Sequence, residues 1–257
     1  KILRDLLMLK KRLIISLTFK DGVLFRTKNF CPDYRYTKNF IDLWNADEII
    51  LIDVSDAGKK LSEKFIEIIK FFIKNCHLPI SVGGGISSLE DAQSIFNLGV
   101  EKIIMNSSTY YNPRLTEDLI TNFGSSSVIQ SIDFKKGQDN EYSILVDNGK
   151  TTVNQNTKDY IKHLMNLRAG EILFNSIDND GGLLGFDINL IDNFSKFVNS
   201  PIIIQGGGGS WSHFYDVLKF DCVSAACTQN IYHFTETSLK SAKGYLKSKN
   251  IEVRNDY

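Results

Sequence analysis

The chain has 257 residues, with 30 Lys+Arg against 30 Asp+Glu and a formal net charge of zero. That balance removes the electrostatic reason to expect nucleic acid or an anionic membrane as a partner. Apolar residues make up 42% and charged residues 23%, a globular mix that argues against disorder, and no apolar run approaches the roughly 18 residues of a bilayer span.

In chain order, the stretch Lys1–Lys11 alternates charge with leucine and lacks a signal-peptide layout. The first residue is not Met, so Met8 is a candidate native start and residues 1–8 read as an N-terminal extension. Strand-like apolar runs follow at Leu13–Leu17, Glu48–Asp53, Ile80–Val82, Lys102–Met105, Val128–Ile132, Glu171–Asn175, Pro201–Ile204 and Cys222–Ala225. Between them Ser62–Lys74, Leu89–Leu98, Thr157–Arg168 and Ile188–Val198 carry apolar residues at helical spacing. Eight strands interleaved with helices, with four prolines and no long linker, predict α/β architecture: a single closed (β/α)8 TIM barrel over residues 1–257.

The four cysteines, Cys31, Cys76, Cys222 and Cys227, form no Cys-x-x-Cys pair, so reduced thiols and a cytoplasmic location are expected. His77, His163, His213 and His233 show no ligand spacing. No metal and no cofactor are expected.

The sequence repeats itself. "PISVGGGISSLEDA" from Pro79 returns as "PIIIQGGGGSWSHF" from Pro201; "EIILIDVSDAG" from Glu48 returns as "EILFNSIDNDG" from Glu171; "LIISLTFKDG" from Leu13 pairs with "VIQSIDFKKG" from Val128. Three strand–loop units recurring in one order predict two half-barrels, about 1–125 and 126–257. In such a barrel, ligands meet the C-terminal strand ends. There, Gly83-Gly84-Gly85 and the run Gly206 to Gly209, with Gly206 and Gly207 foremost, stand at equivalent positions, and glycine lets backbone N–H groups approach an anion. Asn106-Ser107-Ser108 and Asp180-Gly181-Gly182 follow neighbouring strands and are read with them as phosphate-binding. Neither glycine run fits a dinucleotide fingerprint.

The ordered motifs "KRLIISLTFKDG", "DEIILIDVS", "ISVGGGI", "GVEKIIMNSS", "SIDFKKG", "RAGEILFNSIDNDG" and "PIIIQGGGG" resemble the HisF family, the cyclase subunit of imidazole glycerol phosphate synthase, from about Leu9 to the C-terminus. The resemblance implies a glutaminase docked on the N-terminal barrel face. Its ammonia would cross the barrel to a bisphosphorylated ribonucleotide at the other face. It also implies two catalytic aspartates, at the ends of the first and fifth strands. The fifth-strand position is Asp133, but the first-strand position holds Thr18, whose hydroxyl cannot serve as a carboxylate proton shuttle at neutral pH. Asp21, three residues on, points elsewhere if the strand ends near Thr18. After the eighth strand, "AACTQNIYHF" is longer than the family's stretch, leaving Cys227 and Asn230 as competing phosphate-facing residues. The family's ammonia gate maps onto Arg12, Glu48, Lys102 and Glu171, whose alternating signs allow a paired, partly buried ring.

A retained entrance with an altered exit resembles a divergent branch of the family. Its members accompany a glutaminase and an N-acetyl sugar amidotransferase in amidating sugars for surface polysaccharide. In "RTKNFCPDYRYTKNF", Arg26, Lys28, Arg35 and Tyr36 are candidate contacts for that sugar enzyme. The expected function is therefore delivery of ammonia to a phosphorylated or nucleotide-sugar acceptor. The alternatives are a working cyclase of histidine biosynthesis, a non-catalytic scaffold that activates the glutaminase, and the related single-chain sugar-phosphate isomerase. The last would have no reason to keep an ammonia gate.

Overall fold

Runs such as Ile49-Ile50-Leu51 are too short to satisfy their own backbone and must find ladder partners far away in sequence. The computed structural model of the protein describes residues 10–35, 46–55, 61–139, 141–229 and 239–254. Its strands are β1 (Arg12–Lys20), β2 (Val23–Lys28), β3 (Cys31–Arg35), β4 (Glu48–Asp53), β5 (Ile80–Gly83), β6 (Lys102–Met105), β7 (Val128–Lys136), β8 (Tyr142–Val146), β9 (Thr151–Thr152), β10 (Glu171–Ser176), β11 (Ile202–Gln205) and β12 (Val223–Thr228). Its helices are α1 (Glu63–Asn75), α2 (Leu89–Asn97), α3 (Ser107–Tyr111), α4 (Pro113–Phe123), α5 (Thr157–Leu167), α6 (Ile188–Phe194), α7 (Trp211–Leu218) and α8 (Leu239–Ser248).

The eight runs read as strands from sequence are the barrel strands. They run β1, β4, β5, β6, β7, β10, β11, β12, and every neighbouring pair is parallel. The pairing of β12 with β1 closes the ring. This is a (β/α)8 barrel. The period of 2 sorts each strand's side chains into two cores. On β1, Leu13, Ile15, Leu17 and Phe19 join the shell beneath the helices. Ile14 faces inward with Ile50, Ile104, Ile129, Leu173, Ile203, Ala225 and Cys227. This inner layer separates the strand starts from the strand ends.

Helices cover the outer face by the same logic. On α1, Phe65, Ile68, Ile69 and Phe72 are buried at i, i+3, i+4 and i+7, the spacing of one apolar stripe. The rings of Phe65 and Phe72 lie 6.1 and 6.2 Å from that of Phe19. Each such burial contributes about 2 kcal/mol. Ser62 starts the helix by accepting a hydrogen bond from the Phe65 N–H, a side-chain cap for an otherwise orphaned donor.

The structure also differs from the sequence reading. β1 does not end near Thr18: it continues to Lys20 and folds back antiparallel onto β2. Asp21 and Gly22, with φ of 52° and 83°, form the tight turn that an Asp-Gly dipeptide favours between twisted strands. Asp21 is exposed there, and its N–H donates to Ser55 Oγ at 2.8 Å. The fifth barrel strand, β7, likewise runs on to Lys136 and pairs antiparallel with β8. The stretch carrying Arg26, Lys28 and Arg35 is the β2–β3 hairpin. Tyr36, Asn230 and Met8 lie outside the described residues. Among the described residues, no helix is long and apolar enough to cross a membrane.

Candidate functional site

Four charged side chains meet inside the barrel at the strand starts. Arg12 on β1 bonds Glu48 on β4 at 2.6 Å and also pairs with Glu171 on β10. From β6, Lys102 Nζ reaches Glu171 Oε2 at 2.6 Å and Glu48 Oε2 at 3.7 Å. Arg12 Nη2 further donates to Ser224 Oγ at 3.0 Å. Arg12 and Glu48 are only 6% and 3% exposed, so each charge depends on the others for compensation. Burial pushes the Glu171 carboxyl up, but the charges of Arg12 and then Lys102 more than offset it and hold it low. Burial likewise opposes the Arg12 charge, and Glu171 and Glu48 overcome it, so the guanidinium is held firmly protonated. The four residues expected from sequence therefore form one closed, signed ring below the apolar layer.

At the opposite ends of the strands, Asp133 is 7% exposed. Asn106 Nδ2 donates to its Oδ2 at 2.9 Å and Asn175 Nδ2 to its Oδ1 at 3.1 Å, with Ser131 Oγ at 3.4 Å. Burial pushes the carboxyl up to about 6, against the pull of these donors. Thr18, the equivalent residue of the first half, is buried and pairs across the ladder with Ile52, whereas Asp133 pairs with Asn175. One half thus presents an acid beside an amide, and the other a hydroxyl beside an isoleucine.

The residues read as phosphate-binding are mostly tied into the protein. Asn106 serves Asp133, Ser107 Oγ accepts from the Asp147 N–H at 2.8 Å, and Ser108 Oγ donates to the Ile86 carbonyl. Asp180 is a carboxylate and accepts: the N–H of Phe30 reaches its Oδ2 at 3.0 Å, fixing the β2–β3 turn. Burial pushes that carboxyl up. Gly181 lies against the Thr27 carbonyl, where a Cβ would come within 2.2 Å. The backbone of Gly84, Gly85, Gly206 and Gly207 has positive φ throughout, between 70° and 100°, which bends each chain sharply after β5 and β11. Cys227 sits within β12 in the inner apolar layer, fully buried, with burial pushing its thiol up. It is a wall of the interior and not a loop residue.

Two residues at this mouth were missed in the sequence. Asn175 and Gln205 are direct ladder partners on β10 and β11. They stand two positions beyond the inward-facing Leu173 and Ile203, so the period of 2 turns them inward as well. A polar residue following an inward apolar one on two neighbouring strands is a readable signal once the inward row is known.

The fold and its two chemically distinct mouths define a (β/α)8 barrel of the kind whose strand ends carry chemistry. The family model described as "Histidine biosynthesis protein" matches residues 17–238. The chain is also similar to curated proteins. Imidazole glycerol phosphate synthase subunit HisF of Hydrogenobaculum sp. (strain Y04AAS1) is 34% identical over 252 residues, covering 96% of this chain and 100% of the relative. The HisF subunits of Flavobacterium johnsoniae and Bacillus cereus (strain G9842) are 35% and 32% identical, with the same coverage. The chain belongs to the histidine biosynthesis protein family, on its HisF-like side.

Proposed function

We propose that this chain is the synthase subunit of a glutamine-dependent amidotransferase. A glutaminase seats on the N-terminal mouth, and its ammonia passes the ring of Arg12, Glu48, Lys102 and Glu171. It then crosses the apolar layer and reaches Asp133. The observation that carries this reading is the alignment, along one barrel interior, of a signed ring, an apolar layer and the buried carboxyl of Asp133. The four ring charges pair with one another, and Arg254 Nη2 stands 3.8 Å from Glu48 Oε1 as a further cation beside them. The isoleucine-rich layer admits neutral ammonia at far lower cost than ammonium. When ammonia attacks an electrophilic carbon, the new N–C bond leaves a proton to be shed. Asp133, ionised for the most part at neutral pH with a value of about 6, is matched to take it.

The acceptor in this reading is a phosphorylated or nucleotide sugar destined for surface polysaccharide. Its anionic group is held by the loops of Gly84, Gly85, Gly206 and Gly207, with Asn106, Ser107, Asp180 and Gly181 shaping the rim. The hairpin bearing Arg26, Lys28 and Arg35 faces the N-acetyl sugar amidotransferase. The two half-barrels act as a single domain. A second reading, the cyclase of histidine biosynthesis, is favoured by the near full-length similarity to HisF subunits. Thr18 counts against it.

One assay separates these readings and a second tests the gate that both share. Given ammonia and the histidine-pathway ribonucleotide, the purified chain is expected to form no imidazole product, and turnover there would establish the cyclase. With the glutaminase present, Lys102→Met is expected to lower glutamine-dependent amidation about tenfold or more while sparing ammonia-dependent amidation. An equal loss in both would remove the gate.

A further inference from the structure

Two buried amide oxygens at the inner end of the C-terminal mouth, Asn175 Oδ1 and Gln205 Oε1, make no hydrogen bond. A buried acceptor without a donor costs about 1–3 kcal/mol, so such groups are rare and ask for a reason. Asn175 is 7% exposed. Its orientation is set by its own Nδ2, which donates to Asp133 Oδ1 at 3.1 Å; this leaves Oδ1 as the free end. The ladder register places Asp133, Asn175 and Gln205 side by side on β7, β10 and β11. Asn175 and Gln205 stand directly above the inward apolar residues Leu173 and Ile203, and Asp133 stands above Ser131, which follows the inward Ile129. The row therefore begins where the apolar lining stops.

We propose that Asn175 and Gln205, together with Asp133, form a receiving site for ammonia: two amide oxygens and a carboxylate aimed at one small N–H donor. The chemistry selects the ligand. Free acceptor oxygens beside a carboxylate favour a ligand rich in donors over an anion such as phosphate, and ammonia and ammonium offer three or four N–H bonds in the smallest volume. The amides hold the nitrogen beside Asp133 until the acceptor sugar is in place, and no bond is made or broken in that step. Asn175 and Gln205 are positioning residues here. The inference rests on the proposed ammonia route and extends it by naming where the nitrogen stops.

The experiment is an NMR titration of the full chain with ammonium chloride at pH 7.5, with potassium chloride at matched ionic strength as the control. The side-chain amide signals of Asn175 and Gln205 and the Asp133 carboxyl signal are expected to shift saturably with ammonium and not with potassium. Gln205→Leu removes one acceptor and is expected to weaken the response about tenfold, the effect of one hydrogen bond lost in a dry site. The same change also removes an unpaired buried oxygen, so it is expected to raise the Tm. Stabilisation with loss of the ammonium response is a combination that a merely structural role would not give. Gln205→Met serves as the second variant. Equal shifts with potassium, or an unchanged response in both variants, would overturn the inference. A saturable ammonium response in a chain that never accepts glutamine-derived ammonia would instead sink the proposed function and leave this site standing.

Discussion

At Asp133 two effects act on one carboxyl in opposite directions. Burial disfavours its charge, and the amides of Asn175 and Asn106 favour it; burial wins, leaving the value at about 6 against an ordinary 3.8. A carboxyl whose folded value is raised has its ionised form penalised by the fold. Its contribution is therefore most favourable below about 3.8 and declines as pH rises through 6. Relative to Asp133→Asn, the wild-type chain is expected to lose about 2 kcal/mol of stability between pH 4.5 and 7.5. Denaturant unfolding of both proteins at the two pH values measures this, and a pH-independent difference would contradict the assigned burial effect. Asn175→Ala removes a donor that favours the ionised form, so the Asp133 midpoint is expected to climb by roughly one pH unit, read from the carboxyl signal by NMR.

Among elements, the C-terminal helix α8 is fixed to the barrel by a pair that its sequence half announces. Leu239, Ala242, Lys243 and Leu246 are all buried on one face of α8, so a lysine occupies a core position of an amphipathic stripe. Its Nζ meets Asp47 Oδ1 at 2.9 Å, with side-chain exposures of 3% and 1%, and Asp47 Oδ2 accepts from the Leu13 N–H at 2.8 Å. The helix is thereby linked to the backbone of β1 just past Arg12. Lys243→Ala strands a buried carboxylate and is expected to cost about 3–5 kcal/mol, while Lys243→Met with Asp47→Leu is expected to restore much of it; urea unfolding of the three proteins decides. The lysine was visible in the sequence, but its partner, 196 residues away, was not, because helical period says nothing about which strand lies beneath. The barrel strands were legible for the opposite reason, since each is a short apolar run, mostly β-branched, whose partner need only be another of its kind. The antiparallel extensions of β1 and β7 lie beyond the apolar runs that mark the barrel strands, and only Asp21-Gly22 at the first turn signals one of them. The inward turn of Asn175 and Gln205 needed a register that no single segment contains.

For the whole molecule, the question left by the repeat is whether its glycines answer to a ligand or to the barrel. Gly84 and Gly206 adopt φ of 100° and 97°. A Cβ on Gly84 would lie 2.2 Å from the Asp53 carbonyl oxygen, and one on Gly206 would lie 2.6 Å from that of Ser176. Asp53 and Ser176 are themselves equivalent, each near the end of the barrel strand that precedes the glycine-bearing one. The same close approach is built twice, so both halves turn their chain over the preceding strand by one geometry. This satisfies the demand for glycine before any phosphate is considered. The glycine runs therefore answer first to the barrel's own close turns and only second to anion binding. Substituting alanine must combine left-handed strain with a steric overlap against rigid backbone. Gly84→Ala and Gly206→Ala are each expected to destabilise the chain by about 3 kcal/mol, lowering the Tm by roughly 6–12 °C without any ligand. Glycines kept only to admit a phosphate would leave the ligand-free Tm unchanged and alter anion affinity alone. Calorimetry on the two single variants distinguishes these outcomes. A large loss for one variant with none for the other would mean that only one half still relies on the shared turn.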